Sequence, residues 1–348
     1  MKQTEIKEKR RLLNEDGNVE QAGYAKKLLW EYNPQNVTAC KALLKEWDYY
    51  YVGNKDCAVC LTIADMGYIG ALSATVMDFG DKPWQITKSS VVLFPMGKMK
   101  LPHTTEIGDS KFKNGGVEMT FSNDGKTRKL FGQYPKFGKA GETLTFDIVL
   151  GEAPEESMVI ATPFAKKGRF YYNQKINCMA AEGKFALGDK EYVLSRGNDA
   201  QATLDWGRGV WTYDNTWYWG SMQCYLDDGS TFGWNIGYGF GNNEEATENM
   251  LFFNGKSHKL DEVTFNIPQD AEGNDDYMKP WTFTSNDGRF EMAFTPIIDR
   301  YEPFDLKFFA MIPHQVFGFF TGKAVLDDGT VIEVKDKMGF AEKVHNKW

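Results

Sequence analysis

The sequence predicts a mainly β protein in which two antiparallel β-barrel halves follow a short N-terminal helical segment. From Cys57 onward, β-branched and aromatic residues alternate in short runs bounded by Gly, Asp and Pro, a pattern typical of antiparallel strands. A long antiparallel meander leaves exposed edges unless it closes, so we expect barrels. Asp-Gly pairs, which favour tight hairpins, recur between these runs at Asp124-Gly125, Asp228-Gly229, Asp287-Gly288 and Asp328-Gly329.

The helical segment is predicted over residues 1–50. Between Asn18 and Tyr51, apolar and basic residues recur at helix-like spacing, and Pro34 interrupts the pattern. The residues before this stretch alternate Lys, Glu and Arg and contain no apolar run of the kind found in a secretory signal. We therefore expect a helical segment that packs on the barrels.

Two features favour two halves of similar structure. The 348 residues exceed what one typical core supports. The segment from Thr120 to Pro135 also resembles the segment from Thr282 to Pro296, and each contains an Asp-Gly turn. The sequence GEAPEES, which begins at Gly151, has the composition of a loop. We predict a boundary near residue 160, with antiparallel β-barrel halves over 51–160 and 161–348.

Composition excludes several classes of protein. The net charge of −8 disfavours nucleic-acid binding, which depends on basic patches. No stretch approaches about 18 uninterrupted apolar residues, so we expect no membrane span and a cytoplasmic protein. The five cysteines are scattered, as reduced thiols are. Cys57 and Cys60 form a CxxC without a second pair, so two thiols in a strand are favoured over a zinc site.

Aromatic residues concentrate in one segment, since five of the ten tryptophans lie between residues 206 and 234. In an extended strand, Trp217 and Trp219 share a face, and Trp211 and Tyr213 are expected to pair likewise. Such a face is either barrel core or the lining of a small-molecule pocket. The aromatic residues predicted to contact a ligand are Trp206, Trp211, Tyr213, Trp217 and Trp219.

Asp205 and Arg208 lie among these aromatics, next to glycines at 207 and 209. Apolar surroundings disfavour a charged carboxylate whereas a nearby guanidinium favours it, and the balance can produce a proton donor or acceptor. The pair is therefore either a structural ion pair or an acid–base group with an orienting or anion-binding arginine. Glu248 is a further catalytic candidate in the segment TENMLFF.

Polar residues within apolar strands need hydrogen-bond partners, which a ligand can supply. The remaining ligand-binding candidates are Asn235, Asn249 and His103. An alternative interpretation of His103 is a loop histidine without a role in binding. The segment GYGFGNN lacks the helix and the basic residue of a phosphate loop, and the chain has neither GxSxG nor HExxH. We therefore expect no metal and no cofactor.

Several segments together resemble a known family: GYAKKLLWEYN, KEWDYYYV, TIADMGYIG, LDWGRGVWTYDNTWYWGS, ENMLFFNGKSHKL and the terminal MGFAEKVHNKW. The chain is identified as a member of domain of unknown function family 2804. That family is more distantly similar to the calycin-like group of carotenoid 1,2-hydratase (hydroxyneurosporene synthase) and tocopherol cyclase. This resemblance implies two lipocalin-like domains and cofactor-free proton chemistry on hydrophobic, unsaturated substrates, but it transfers no catalytic residue.

Three hypotheses of function follow. The first is a cofactor-independent acid–base enzyme of the hydratase, isomerase or cyclase type, with Asp205 as the proton-transfer group, Arg208 as its partner and the tryptophans as the pocket wall. The second is a protein that binds a hydrophobic or amphipathic small molecule without changing it. The third is a carbohydrate-binding or carbohydrate-active protein, which for glycoside cleavage needs two carboxylates about 5 to 10 Å apart, such as Asp205 and Glu248.

Overall fold

The computed structural model describes residues 3–305, 307 and 310–348, and these are almost entirely antiparallel sheet. The strands of the first part of the chain are β1 (Arg10–Arg11), β2 (Gly23–Ala25), β3 (Trp30–Glu31), β4 (Leu44–Gly53), β5 (Cys57–Asp65), β6 (Ile69–Asp78), β7 (Trp84–Leu93), β8 (Ser110–Asn114), β9 (Val117–Asn123), β10 (Arg128–Tyr134), β11 (Leu144–Leu150), β12 (Met158–Pro163), β13 (Phe170–Leu187), β14 (Lys190–Leu194) and β15 (Gln201–Val210). Those of the second part are β16 (Asp214–Tyr225), β17 (Thr231–Tyr238), β18 (Met250–Phe253), β19 (Lys256–Lys259), β20 (Val263–Asn266), β21 (Trp281–Ser285), β22 (Phe290–Tyr301), β23 (Phe304–Asp305), β24 (Ala310–Val325) and β25 (Val331–Lys347). Short 3-10 helical turns occupy Pro34–Asn36, Lys41–Leu43 and Arg196–Asn198.

The first sheet curls into a nearly closed barrel. Its main path runs β7-β6-β5-β4-β15-β13-β11-β10-β9-β8. One hydrogen bond joins the two end strands of this path: Nδ2 of Asn114 in β8 donates to the carbonyl of Val91 in β7 at 2.8 Å. Every second side chain of a strand points into the barrel and fills its core. In β11 the buried residues are Leu144, Phe146, Ile148 and Leu150, and the residues between them are exposed.

The second sheet curls into a half-barrel. Its path is β19-β18-β17-β16-β25-β24-β22-β21-β20. In each sheet the first strand of an early four-strand meander pairs with the strand of that sheet that comes last in the chain: β4 pairs with β15, and β16 pairs with β25. The hairpins β9–β10 and β21–β22 contain the two similar sequence segments.

The predicted N-terminal helix is wrong. Of the segment 1–50, residues 1 and 2 lie outside the described part, and the remainder forms β1, β2, β3, two 3-10 turns and most of β4. Asn33 caps the first turn, and Pro34 takes its first position, where the missing N–H costs no hydrogen bond. The aromatic residues from Trp47 to Tyr51 favour a strand over the helix that their spacing suggested.

The chain passes from the first sheet to the second between Val210 and Asp214. This point lies later in the sequence than residue 160, where the two halves were predicted to divide. The long strand β13 explains the difference, because it pairs with β11, β12, β14 and β15 and so keeps the residues that follow 160 in the first sheet.

The two sheets pack against each other through β4 of the first barrel. Both faces of β4 are buried: Tyr50 and Val52 lie in the barrel core, whereas Tyr49 and Tyr51 face the second sheet. Tyr51 contacts Phe340 of β25, with ring centroids 5.7 Å apart. Within the described residues no helix is long or apolar enough to cross a membrane.

Candidate active site

A cavity of about 230 Å³, called the chamber here, lies between the two sheets. Strands β4, β5, β13 and β15 line it on one side, and β16, β22, β24 and β25 line it on the other. Its wall is mainly aromatic because strand residues that point away from each barrel core meet in this space. The aromatic residues of the wall are Trp47, Tyr49, Tyr171, Trp211, Trp217, Tyr218, Trp219, Tyr238, Phe240 and Trp348.

Trp211 holds one end of the chamber together. Its ring makes edge contacts with Trp47, Phe240 and Trp217 at centroid distances of 5.5, 4.8 and 6.1 Å. Edge-to-face packing of this kind adds about 0.5–1.5 kcal/mol per pair beyond the burial of surface. The wall is therefore preformed before any ligand binds.

A buried ion pair lies in the chamber. Lys175 of β13 and Asp205 of β15 are directly paired across the two strands, and Lys175 Nζ lies 2.8 Å from Asp205 Oδ1. The same oxygen accepts a 2.6 Å hydrogen bond from Asn173 Nδ2. The ammonium also lies 3.9 Å from the ring centroid of Trp219. The chamber thus contains a fixed positive charge whose counter-ion is Asp205.

Glu342 of β25 is a buried carboxyl group in the opposite wall. Trp217 Nε1 donates to its Oε1 at 3.0 Å, and Gln315 Nε2 donates to its Oε2 at 3.0 Å. Gln315 is itself fixed by Arg300, whose Nη1 donates to the amide oxygen at 2.7 Å. Burial raises the pKa of Glu342 to about 7, against the opposing effects of the Trp217 hydrogen bond and the Lys175 charge.

Glu248 is a second buried carboxyl group in the chamber. It lies beside the hydroxyl of Tyr171, and Asn235 Nδ2 donates to its backbone carbonyl at 3.0 Å. Burial raises the pKa of Glu248, although the charge of Lys175 and the neighbouring Tyr171 and Asn235 side chains act in the opposite direction. Trp219 Nε1 donates to Asn235 Oδ1 at 2.7 Å, so the indole fixes the amide that contacts Glu248.

The structure brings several predicted site residues to the chamber. Asp205, Glu248, Trp211, Trp217 and Trp219 all line it. Asn235 is completely buried behind the wall and acts through Trp219 and Glu248.

Arg208 does not join them, and the expected pairing of Asp205 with Arg208 is not formed. Residues three apart in a strand point to opposite faces, so Arg208 lies inside the first barrel while Asp205 faces the chamber. Arg208 Nη2 donates to Asp48 Oδ1 at 3.0 Å and to the carbonyl of Pro102 at 2.8 Å. Trp206, on the same face as Arg208, packs in the barrel core against Tyr172.

The other predicted ligand contacts also lie elsewhere. Tyr213 follows the end of β15 and is 54% exposed, so the alternation that would pair it with Trp211 does not extend to it. Asn249 is buried, where it accepts from the amide of Gly237 and donates to the carbonyl of Asp261. His103 packs edge-on against Tyr32 in a loop at a separate cavity.

The described part of the chain offers no set of metal ligands. No group of three or more His, Cys, Asp or Glu side chains there is arranged to hold an ion. Cys57 and Cys60 are buried in β5 with free thiols. Burial raises the pKa of the Cys57 thiol to about 12.

The sequence profile of the family described as domain of unknown function (DUF2804) matches residues 3–348. The chain belongs to this family. The predicted family membership is thereby confirmed. No curated protein is similar to this DUF2804 chain in sequence.

Three solved structures are similar to the DUF2804 chain in fold. A candidate AttH protein from Nitrosomonas europaea is 14% identical, with a TM-score of 0.53 over 90% of this chain and 96% of its own. Kievitone hydratase from Nectria haematococca is 10% identical, with a TM-score of 0.48 over 87% and 88% of the two chains. CghA with Sch210972 is 10% identical, with a TM-score of 0.41 over the same shares. The first likeness shows a shared fold, and the two weaker ones carry no argument about this chain.

Lys175, Tyr171 and Glu342 are among the chamber residues that were not predicted from the sequence. All three lie in long strands, and Glu342 carries the signal that could have indicated it, a carboxylate among apolar strand residues. Glu342 follows Phe340 and Ala341 and precedes Val344, all of which are buried. A carboxylate placed among buried strand residues must be paired or neutral.

Proposed function

We propose that the chamber is the active site of a cofactor-independent enzyme that transfers a proton to or from an apolar, unsaturated small molecule, as a hydratase, isomerase or cyclase does. The observation that carries the proposal is Glu342, a carboxyl group buried in an aromatic chamber with a pKa of about 7. A group whose pKa lies near the working pH both gives and takes a proton readily, which general acid–base catalysis requires.

The size and lining of the chamber define the substrate. Its volume is about 230 Å³. Pockets for drug-sized ligands usually measure about 300–1,000 Å³, so the substrate is smaller than these. Because the wall is aromatic, binding favours a molecule with little polar surface.

Each charged group then has a role in the transfer. Trp217 and Gln315 hold both oxygens of Glu342 and so orient the carboxyl group toward the chamber. Lys175 stabilises negative charge that develops when Glu342 removes a proton, and Asp205 serves as the counter-ion of this lysine. Where Glu342 instead protonates a double bond, the aromatic faces stabilise the resulting cation by about 0.5–2 kcal/mol.

The test is incorporation of solvent deuterium. A library of small hydrophobic metabolites is incubated in D₂O with wild type, with Glu342→Gln and with Glu333→Gln, an exposed glutamate on the same strand, and is then analysed by mass spectrometry. Deuterium entering a compound with wild type and Glu333→Gln, but not with Glu342→Gln, supports the proposal.

Two other outcomes lead to the alternative functions. Compounds retained equally by all three proteins without exchange would contradict the enzyme and identify a lipophilic-ligand binding protein. Retention of sugars rather than hydrophobic compounds would favour a carbohydrate function, for which the chamber offers Asp205, Glu248 and Glu342 as carboxyl groups.

A further inference from the structure

A second proton-bearing pair faces the same chamber. Tyr171 of β13 lies beside Glu248 of the segment before β18, and both side chains line the cavity. Glu342 belongs to β25 in the second sheet, so the Tyr171 hydroxyl and the Glu342 carboxyl group enter the chamber from different sheets. Both groups therefore border the space that a small substrate would occupy.

We infer that the hydroxyl of Tyr171 is an oxyanion site, and that the substrate is an apolar carbonyl compound with a hydrogen on the carbon next to its carbonyl group. The inference rests on the proposed function, because it assigns to Glu342 the removal of that hydrogen. It adds the class of substrate and a second catalytic residue, Tyr171.

The environment of Tyr171 keeps its hydroxyl protonated. Burial, followed by the charges of Glu248 and Asp205, raises the pKa of Tyr171 well above its usual range. Its ring is fixed by stacking on Trp47 at 6.4 Å and by an edge contact with Phe240 at 4.7 Å. A hydroxyl that is rigid, protonated and enclosed by apolar surface is the kind of donor that stabilises a developing oxyanion.

Glu248 is the positioning residue for this hydroxyl. When Glu248 is ionised, it accepts the Tyr171 hydrogen and withdraws it from the substrate. When Glu248 is neutral, it donates to the tyrosine oxygen and frees that hydrogen for the substrate. Burial favours the neutral form, and a carboxylic acid kept neutral in an apolar site is an established donor in oxyanion holes.

The proton-transfer step balances without any further reactant. The Glu342 carboxylate takes a proton from the carbon next to the carbonyl group, and the C–H electron pair forms a C=C bond to the carbonyl carbon. The π electrons of the C=O bond move to oxygen, which accepts a hydrogen bond from Tyr171. In D₂O the proton on Glu342 exchanges with a solvent deuteron, which Glu342 then delivers to the same carbon, giving exchange, or to a conjugated carbon, shifting the double bond.

The experiment compares two isosteric probes, acetophenone and α-methylstyrene, in which a C=O group is replaced by C=CH₂. Affinities are measured by calorimetry for wild type, for Tyr171→Phe and for the control Tyr134→Phe, whose tyrosine is buried in the first barrel. We expect Tyr171→Phe to lower the ratio of acetophenone affinity to α-methylstyrene affinity about tenfold, the effect of one lost hydrogen bond. Tyr134→Phe should leave the ratio unchanged.

Glu248 is tested by conservative rescue. Glu248→Gln retains a donor for the tyrosine oxygen and should keep most of the preference for acetophenone, whereas Glu248→Leu should lose it. Binding of α-methylstyrene by each variant shows that the chamber is folded. Solvent deuterium should enter the methyl group of acetophenone with wild type and fail to enter it with Tyr171→Phe or Glu342→Gln.

The outcomes separate the two proposals. If α-methylstyrene binds but the affinity ratio is the same in wild type and Tyr171→Phe, the oxyanion site is wrong and the apolar chamber stands. If neither probe binds to wild type, the assignment of a carbonyl substrate is overturned, whereas Glu342-dependent deuterium exchange of another compound in the library would still support the proposed function.

Discussion

Glu342 combines two opposing properties at the scale of a single residue. Burial between the sheets disfavours its charge, whereas hydrogen bonds from Trp217 and Gln315 favour it. The result is a carboxyl group whose pKa of about 7 exceeds the ordinary value of 4.5. A raised carboxyl pKa means that the folded protein binds this proton more tightly than the unfolded chain does.

Stability should therefore depend on pH through Glu342. Its contribution is fully present below pH 4.5, declines as the pH rises, and is lost above about pH 7. The shift corresponds to about 3 kcal/mol in the free energy of unfolding. Urea unfolding measured between pH 5 and 8 should show Glu342→Gln less sensitive to pH than Glu333→Gln, and more stable than it at pH 8. If the free energy of unfolding varied with pH equally in the two variants, the raised pKa of Glu342 would be contradicted.

At the scale of one element, β15 explains the segment DWGRGVW. Gly207 and Gly209 face the chamber side of the strand, where side chains would collide with the wall. A Cβ atom on Gly207 would lie 1.9 Å from Trp47 Cζ2, and one on Gly209 would lie 2.6 Å from the carbonyl oxygen of Phe170 and 2.9 Å from Trp211 Nε1. The glycines therefore make room for the two tryptophans, and Asp205 reaches the chamber beside them.

Replacing Gly207 should disturb the wall. In Gly207→Ala the ring of Trp47 must move, at a cost of about 1–3 kcal/mol in the free energy of unfolding and with a shift in tryptophan fluorescence. Gly197→Ala is the matched control, because its Cβ atom would meet only Ser195 Oγ at 3.6 Å. Equal stability and equal fluorescence for the two variants would show that the wall is not packed as described.

At the scale of the whole molecule, the two sheets share one buried boundary. Tyr49 of β4 packs on Trp219 of β16 with centroids 5.8 Å apart. Asn177 of β13 donates to Ser221 Oγ at 2.8 Å and to the carbonyl of Trp234 at 3.2 Å, both in the second sheet. Neither sheet can bury its outer aromatic face without the other.

The two sheets should therefore unfold together. Midpoints in urea measured by far-ultraviolet circular dichroism and by tryptophan fluorescence should coincide, which is the usual sign of one cooperative transition. A curve with two separated transitions would mean that the first barrel and the half-barrel are independently stable.

The β class, the hairpins and part of the wall were predictable because they follow from local alternation and turn residues. Asp205, Trp217 and Trp219 were found in this way. The pairing of Asp205 with Lys175 was not, because it joins two strands, and strand register is not visible in local spacing. The site role of Glu342 could not be predicted for the same reason, because its partners Trp217 and Gln315 lie on other strands, β16 and β24. The helix was wrongly predicted because helix-like spacing near Trp47 competes with the strand preference of aromatic residues.

The central claim is that Glu342 transfers the proton, and the rate of solvent-deuterium incorporation tests it most directly. For any compound that exchanges with wild type, Glu342→Gln should exchange at least about 100-fold more slowly, as expected for loss of a general acid–base group, while Glu333→Gln should match wild type. Equal exchange rates for the two variants would contradict the account and move the chemistry away from Glu342.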